Sequence, residues 1–338
     1  MNVIFAENAI ERLRSFLKSN NQKTNIETLT PDASTREYFR VTWNRQPAVA
    51  CVYGESFRAA EHSYLDATAL FLASNLPVAE VYKFDENLGI IILEDFGDTI
   101  LRDFLHQAGE ATRHDLLNQA ISLIARVQAA TANAYQNNSI ASRLKFDAEK
   151  LLWELNFFKT HYFETFRKIQ LSEADEQTLT EEFTELAEEL ETRAEVLCHR
   201  DFHAANLMLD RENNLRIIDH QDARIGAASY DLVSLLLDRV TEPPETNWLD
   251  EKKLFFLAER EAQGLKTIDL KNFDQEFQLQ TVQRCLKAIG TFSFQSVNRG
   301  KTYFIPYIEP MFIIVRQAAE QLDRFPNLRH IITKSLAK

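Results

Sequence analysis

His199, Arg200 and Asp201 stand together near the start of VLCHRDFHAANLMLDRENNLRIIDHQDARIGAASYDLVSLL (196–236), with Asn206 five residues after Asp201 and Asp219 thirteen residues after Asn206. The text between them, NLMLDRENNLRIID, reads as a β-hairpin turning at 211–214. A hairpin of that length can return Asp219 to the side of Asn206. A hard Mg²⁺ ion takes a few carboxylate or amide oxygens and fills its shell with phosphate oxygens and water. Asn206 and Asp219 can supply the protein's share, which leaves Asp201 to take a proton from a hydroxyl. Those three roles together are what phosphoryl transfer to an alcohol needs.

Other readings of the same residues are weaker. In the plainest, Asp201 caps a turn and Asn206 sits in a loop. In another, His199 and His203 at i, i+4 join His220 around a metal. Zinc proteases with that spacing carry Glu directly after the first His, and here the residue is Arg200. For His203 alone, a loop hydrogen bond is the simpler role. Residues 173–195 hold ten acidic residues and one Arg. Leu179, Phe183, Leu186, Ala187, Leu190 and Ala194 form an apolar stripe opposite, so this reads as a solvated helix face.

The elements that must position these side chains change in character along the chain. NIETLT, REYFRVTW and PAVACVY are β-prone, SFRAAEHSYLDATALFLASN reads as a helix capped by Ser56, and VAEVYKF and GIIILEDF are strands again. From Asp98 onward helices dominate, with Leu116, Leu117, Ala120, Ile121, Ile124 and Val127 on one stripe and further helices over 147–169 and 174–195. The fold class expected is α+β: a small antiparallel β-sheet lobe with one helix (1–95), then a larger, mainly helical lobe (96–338). No flexible spacer separates the lobes, so they are expected to share an interface.

Composition narrows the function classes. The chain has 338 residues and a net charge of −12, which makes nucleic acid and anionic membranes poor partners. No apolar run approaches the ~20 residues of a membrane-spanning helix. The three cysteines, Cys51, Cys198 and Cys285, have no paired spacing and fit reduced thiols in a cytoplasm. None of the eight glycines gives a GxGxxG or Walker A loop, so a nucleotide must be held by another device.

DASTREYFRV (32–41), IIILEDFGDT (90–99), LLWELNFFKTHYF (151–163), CHRDFHAANLML (198–209), IIDHQDARIGAASYDLVSLLLD (217–238) and LKAIGTFS (286–293) carry a family resemblance over nearly the whole chain. The chain resembles the aminoglycoside-phosphotransferase-like kinases, of protein-kinase-like fold, and within them the N-acetylmuramate/N-acetylglucosamine anomeric kinases of bacterial cell-wall recycling. The resemblance implies a bilobal fold with ATP between the lobes. It makes Asp201 the catalytic base, Asn206 and Asp219 the Mg²⁺ ligands, and the backbone from Glu94 to Phe96 the adenine-contacting hinge. Asp32, Ala33, Ser34 and Thr35 become the phosphate-covering loop, and Asp231 a brace for the catalytic loop. Gln221 and Asp222 are candidates for sugar contacts, with His203 and Arg224 as further candidates. A lactyl carboxylate on the acceptor would need a cation from among Arg224, Arg239, Arg299 and Lys301.

Two departures from the family pattern stand out. The phosphate loop lacks glycine, and the third strand, PAVACVY, lacks the lysine that usually reaches the α- and β-phosphates. Alternation in REYFRVTW puts Arg36, Tyr38 and Arg40 on one face and Phe39, Val41 and Trp43 on the other. Arg36, directly after the loop, is the expected substitute for the lysine, with Arg40 in reserve and Glu61 as partner. The expectation is an ATP- and Mg²⁺-dependent kinase, cytoplasmic and monomeric, acting on the anomeric hydroxyl of an N-acetylated amino sugar. A kinase of aminoglycosides or other small alcohols, and a nucleotide-binding pseudokinase, are the alternatives.

Overall fold

A computed structural model describes residues 8–29 and 36–336. They form two compact units: residues up to Gly109 together with Ala204–Asp222, and Glu110–His203 together with Ala223 onward. The α+β class expected is observed, with an antiparallel sheet in the first unit and mostly helices in the second.

The first unit opens with α1 (Ala9–Ser19), a second helix that the strand-rich reading of this region did not anticipate. Its start is a standard cap, the Asn8 side chain accepting from the Ile10 N–H. Strands β1 (Glu27–Leu29), β2 (Glu37–Trp43), β3 (Gln46–Val52), β4 (Val81–Asp85) and β5 (Ile90–Glu94) form one sheet in the order β1-β2-β3-β5-β4. Asn44 and Arg45, both at positive φ, close the β2–β3 hairpin in register Trp43↔Gln46. Alternation then sorts the side chains. Phe39, Val41 and Trp43 bury with Ala48, Ala50, Val52 and Ile92 against Leu13, Phe16 and Leu17 of α1. Trp43 stacks on Phe16 with ring centres 5.8 Å apart.

Between β3 and β4, residues 59–61 form a single 3-10 turn, and α2 (Ser63–Ala73) starts later than the sequence suggested. Its cap is His62 rather than Ser56, the ring accepting from the Leu65 N–H. His62 is fixed there by packing on Tyr53 and Phe57, at 5.0 and 4.3 Å between ring centres. Strand β6 (Thr99–Ile100), followed by α3 (Leu101–Gln107), pairs with Leu207–Leu209. That segment pairs in turn with Leu215–Ile217, in register Leu207↔Ile217, so the hairpin belongs to the first unit.

The second unit contains α4 (Glu110–Ala129), α5 (Thr131–Gln136), α6 (Ile140–Arg143), α7 (Ala148–Phe158), α8 (Glu173–Thr192), α9 (Tyr230–Leu237), α10 (Thr246–Ala262), α11 (Leu270–Asn298), α12 (Ile308–Gln321) and α13 (Pro326–Leu336). Helix α7 runs into a π-helical segment, Lys159–Arg167, so the single helix expected over 147–169 changes winding partway. Long α11 crosses α7 so closely that a Cβ at Gly290 would lie 2.6 Å from Phe158 Cα; only glycine fits. The acidic helix α8 is less solvated than its composition suggests. Buried Glu182 accepts from the Asn327 and Leu328 N–H groups at the start of α13, both at 2.9 Å, and Glu185 and Glu189 hold Arg324. Among the described residues no helix is long and apolar enough to cross a membrane.

Candidate active site

In the second unit, the strand Val196–Cys198 pairs with Arg224–Gly226 and delivers the chain into His199–Arg200–Asp201. The turn is tight, with Arg200 at φ +88°. Asp231, fully buried in the first turn of α9, holds it: Oδ2 accepts from the His199 N–H at 2.6 Å and Oδ1 from the Arg200 N–H at 3.0 Å. Burial raises the Asp231 pKa to about 6 against the pull of His199 and those two bonds.

Cations surround Asp201. Lys287 Nζ lies 3.0 Å and Arg284 Nη2 3.4 Å from its Oδ1, both from α11, and Arg200 Nε lies 3.8 Å from its Oδ2. Burial works to raise the Asp201 pKa, but Lys287, Arg284, Arg200 and His203 together hold it well below the usual carboxylate value. Arg284 is itself anchored by Ser234 Oγ at 2.9 Å. Buried Glu154 of α7 accepts from Gln283 at 2.9 Å and faces Arg200 at 3.9 Å. Arg284, Lys287 and Glu154 were missed in the sequence, although LKAIGTFS and LLWELNFFKTHYF contain two of them.

In the first unit, Asn206 and Asp219 flank the hairpin. The Ile218 N–H donates to the Asn206 carbonyl at 3.1 Å, which closes the hairpin beyond its last paired residues. Asn206 Nδ2 then reaches Asp219 Oδ2 at 3.3 Å. Asp219 adopts φ +62° and keeps its side chain 44% exposed, so the carboxylate is presented to solvent. Gln221 Nε2 donates to Asp219 Oδ1 at 2.8 Å, and Arg36 Nη2 stands 3.9 Å from the same oxygen. A carboxylate and a carboxamide side by side are the donor types a hard cation takes together with phosphate oxygens and water.

An apolar face of the sheet lies in the same unit. Cys51, Ala79, Ile91, Leu93 and Phe96 form it, with half-buried Val49, Val81, Met208 and Ile218 against them. Arg216 binds both Glu94 carboxylate oxygens, at 2.7 and 2.8 Å, and lies over the Phe96 ring at 4.1 Å. The end of β5 is thereby pinned to the hairpin that carries Asp219. Arg36 packs on the rings of Tyr38 and Tyr53, each 5.9 Å away.

The remaining candidates are placed as follows. Arg40 pairs with Asp95 and Asp98, both at 2.8 Å, and Glu61 with Arg58 at 3.3 Å. The His203 N–H donates to the Asp201 carbonyl at 3.0 Å. Arg224 is buried over the Phe146 ring, and Asp222 is half-buried at the end of the first unit. His220 shares a 2.7 Å hydrogen bond with Thr68 and stacks on Phe71. Among the described residues no three His, Cys, Asp or Glu side chains gather into a metal cage. Asp32, Ala33, Ser34 and Thr35 lie outside the described residues.

Comparison with known proteins puts these features in context. A sequence model of the phosphotransferase enzyme family matches residues 25–265. The N-acetylmuramate/N-acetylglucosamine kinase of Neisseria meningitidis is 32% identical over 284 residues, covering 83% of this chain and 81% of that protein. The protein of the same name from Pseudomonas aeruginosa is 24% identical over 303 residues, covering 89% and 86%. Among solved structures, a choline kinase from Streptococcus pneumoniae superposes with a TM-score of 0.57 at 13% identity, over 92% of this chain and 98% of that one. An aminoglycoside phosphotransferase in complex with GDP gives 0.59 at 14% identity, over 93% and 98%. The structural likenesses show a kinase-like fold.

Proposed function

The chain belongs to the phosphotransferase enzyme family, and on that premise we propose that it transfers the γ-phosphoryl group of ATP, with Mg²⁺, to the anomeric hydroxyl of N-acetylmuramate or N-acetylglucosamine. The observation that carries this reading is the side-by-side placement of Asn206 and Asp219, 3.3 Å apart, with Arg36 facing the same carboxylate. The names of the similar kinases supply the acceptor.

Asn206 and Asp219 hold the metal, which when bound neutralises phosphate charge and orients the transferring group. The apolar face around Val49, Leu93, Phe96 and Met208 takes the adenine ring. Arg36 supplies the cation that β3 lacks. Asp201 orients the acceptor hydroxyl and takes its proton. Two features of Asp201 favour this acceptor. A carboxylate held so firmly ionised is a weak base, and a hemiacetal hydroxyl is a better acid than an ordinary alcohol. Three cations beside Asp201 also suit a neutral or anionic sugar and repel a polycationic aminoglycoside.

Incubation with ATP, Mg²⁺ and a panel of sugars and alcohols, read by phosphorus NMR, tests the proposal. Appearance of sugar 1-phosphate from the two N-acetylated sugars is expected. Turnover of another alcohol alone would overturn the acceptor and keep the kinase. Absence of turnover, together with no Mg²⁺-dependent thermal stabilisation by ATP, would overturn the enzyme itself.

A further inference from the structure

Lys287 is an unusual companion for Asp201. Its side chain is only 14% exposed, and among the described residues its hydrogen bond goes to Asp201 Oδ1 at 3.0 Å. An ammonium carries three N–H donors, so two remain in hand. Arg284 already reaches the same oxygen at 3.4 Å and is fixed by Ser234 at 2.9 Å. Holding Asp201 in place therefore does not require a second cation on that atom. The other buried carboxylate nearby, Glu154, accepts from Gln283 and faces Arg200. Burying an ammonium carries a desolvation cost that one shared ion pair does not repay. Burial, and then Arg284, accordingly lower the Lys287 pKa.

We propose that Lys287 is a catalytic residue that donates its remaining N–H groups to the phosphoryl group during transfer. The inference rests on the phosphotransfer reading above and not on which alcohol is the acceptor. A hydroxyl hydrogen-bonded to Asp201 lies about 2.7 Å from its carboxylate. An ammonium 3.0 Å from that carboxylate is thus close enough to bond an oxygen of the phosphoryl group arriving on the hydroxyl. In the step, the acceptor oxygen forms a bond to the γ-phosphorus, and the bond from that phosphorus to the bridging oxygen breaks, leaving its electron pair on ADP. The hydroxyl proton passes to Asp201, and Lys287 keeps its own protons.

Charge makes the preference directional. As Asp201 is protonated, Lys287 loses the anion it was paired with. Negative charge spread over the three peripheral phosphoryl oxygens takes its place. Lys287 therefore binds the transition state better than the ground state, which is the requirement for raising kcat. Arg284, tied to Ser234, holds the carboxylate while this happens.

The test compares wild type with Lys287→Met and Lys287→Arg by calorimetric titration of Mg·ADP, alone and with aluminium fluoride, a mimic of the transferring phosphoryl group, in the presence of the alcohol that wild type turns over. Wild type is expected to bind ADP with aluminium fluoride at least tenfold more tightly than ADP. Lys287→Met should keep its ADP affinity and lose that tightening, while kcat falls on the order of a hundredfold and both KM values stay within about threefold. Lys287→Arg should recover part of each loss. If Lys287→Met does not fold, Lys287→Gln is read the same way. A variant that keeps kcat and the tightening, or wild type that shows no tightening, overturns the inference. If wild type turns over only an alcohol other than the two sugars, the acceptor assignment fails and this inference stands or falls on the same titration with that alcohol.

Discussion

Arg36 Nη2 stands 3.9 Å from Asp219 Oδ1, while its guanidinium lies against Tyr38 and Tyr53 on the face of the sheet that also carries Cys51. The third strand thus offers a buried thiol, its pKa pushed up to about 11 by burial, and the guanidinium beside Asp219 comes from the bend just before β2. Arg40 is committed to Asp95 and Asp98. Of the two arginines on this face, Arg36 is the one beside the hairpin carboxylate.

Arg36→Ala is expected to lower kcat/KM for ATP by roughly ten- to hundredfold, the equivalent of one charge-assisted contact of about 1.5–3 kcal/mol. KM for the acceptor should change far less. Arg36→Lys keeps the charge without the planar fork and should fall between. Steady-state kinetics with each substrate varied in turn decide the matter. Unchanged ATP kinetics in Arg36→Ala would rule Arg36 out as the missing cation.

Asp201→Asn and Asp219→Asn should separate. On the proposed roles, the change at 201 removes the proton acceptor and leaves the metal ligands intact, so turnover should disappear while Mg·ATP affinity stays within about threefold. Losing a charged ligand at 219 should instead weaken Mg·ATP by tenfold or more, an effect on the order of 1.4 kcal/mol. Calorimetric titration with a non-hydrolysable ATP analogue distinguishes the two, and equal losses of affinity would contradict the division of roles.

The hairpin and its flanking Asn206 and Asp219 were legible because spacing within one continuous stretch dictates where their oxygens go. Alternation in β2 was legible for the same local reason, and Phe39, Val41 and Trp43 are buried where it put them. Lys287 and Arg284 were not legible. On a 29-residue helix a lysine that faces a carboxylate from another segment has the same sequence environment as one that faces water. Their placement depends on how α11 packs, which is a long-range outcome. Helix α1 did leave signals, an Asn8 cap and apolar residues at 9, 13, 16 and 17, but the β-prone runs that follow drew the reading away from it.

Asp231 accepts the backbone N–H groups of His199 and Arg200 in the turn that leads to Asp201. Asp231→Ala should cost about 2–4 kcal/mol, since two buried donors lose their acceptor. Asp231→Asn keeps one acceptor oxygen and should cost less. The pH dependence has a definite sign. A folded-state pKa raised to about 6, against 3.8 in the unfolded chain, means the native state binds more protons between these values. This group's contribution to stability is therefore greatest below pH 4 and declines as pH rises toward 6. Urea denaturation at pH 4.5 and 7 should show that decline diminished in Asp231→Asn; an identical pH dependence in the variant would show that Asp231 does not titrate in this range.

His62 carries the opposite sign and links stability to Arg36. Burial, and then the Arg36 charge, lower its pKa from 6.5 to about 4. Below pH 6.5 the unfolded chain takes up a proton that the native state refuses until about pH 4. The contribution is complete above pH 6.5 and is lost as pH falls through that window. Because the ring is only half-buried, solvent screening leaves about 1 kcal/mol of the nominal effect. Asn at position 62 can still cap α2 through its side-chain oxygen, so His62→Asn should flatten the acid side of the stability profile without removing the helix start. Proton NMR of the His62 ring gives a second reading: removing the guanidinium in Arg36→Ala should raise the His62 pKa. A titration curve that does not move in that variant would show that Arg36 does not act on this ring.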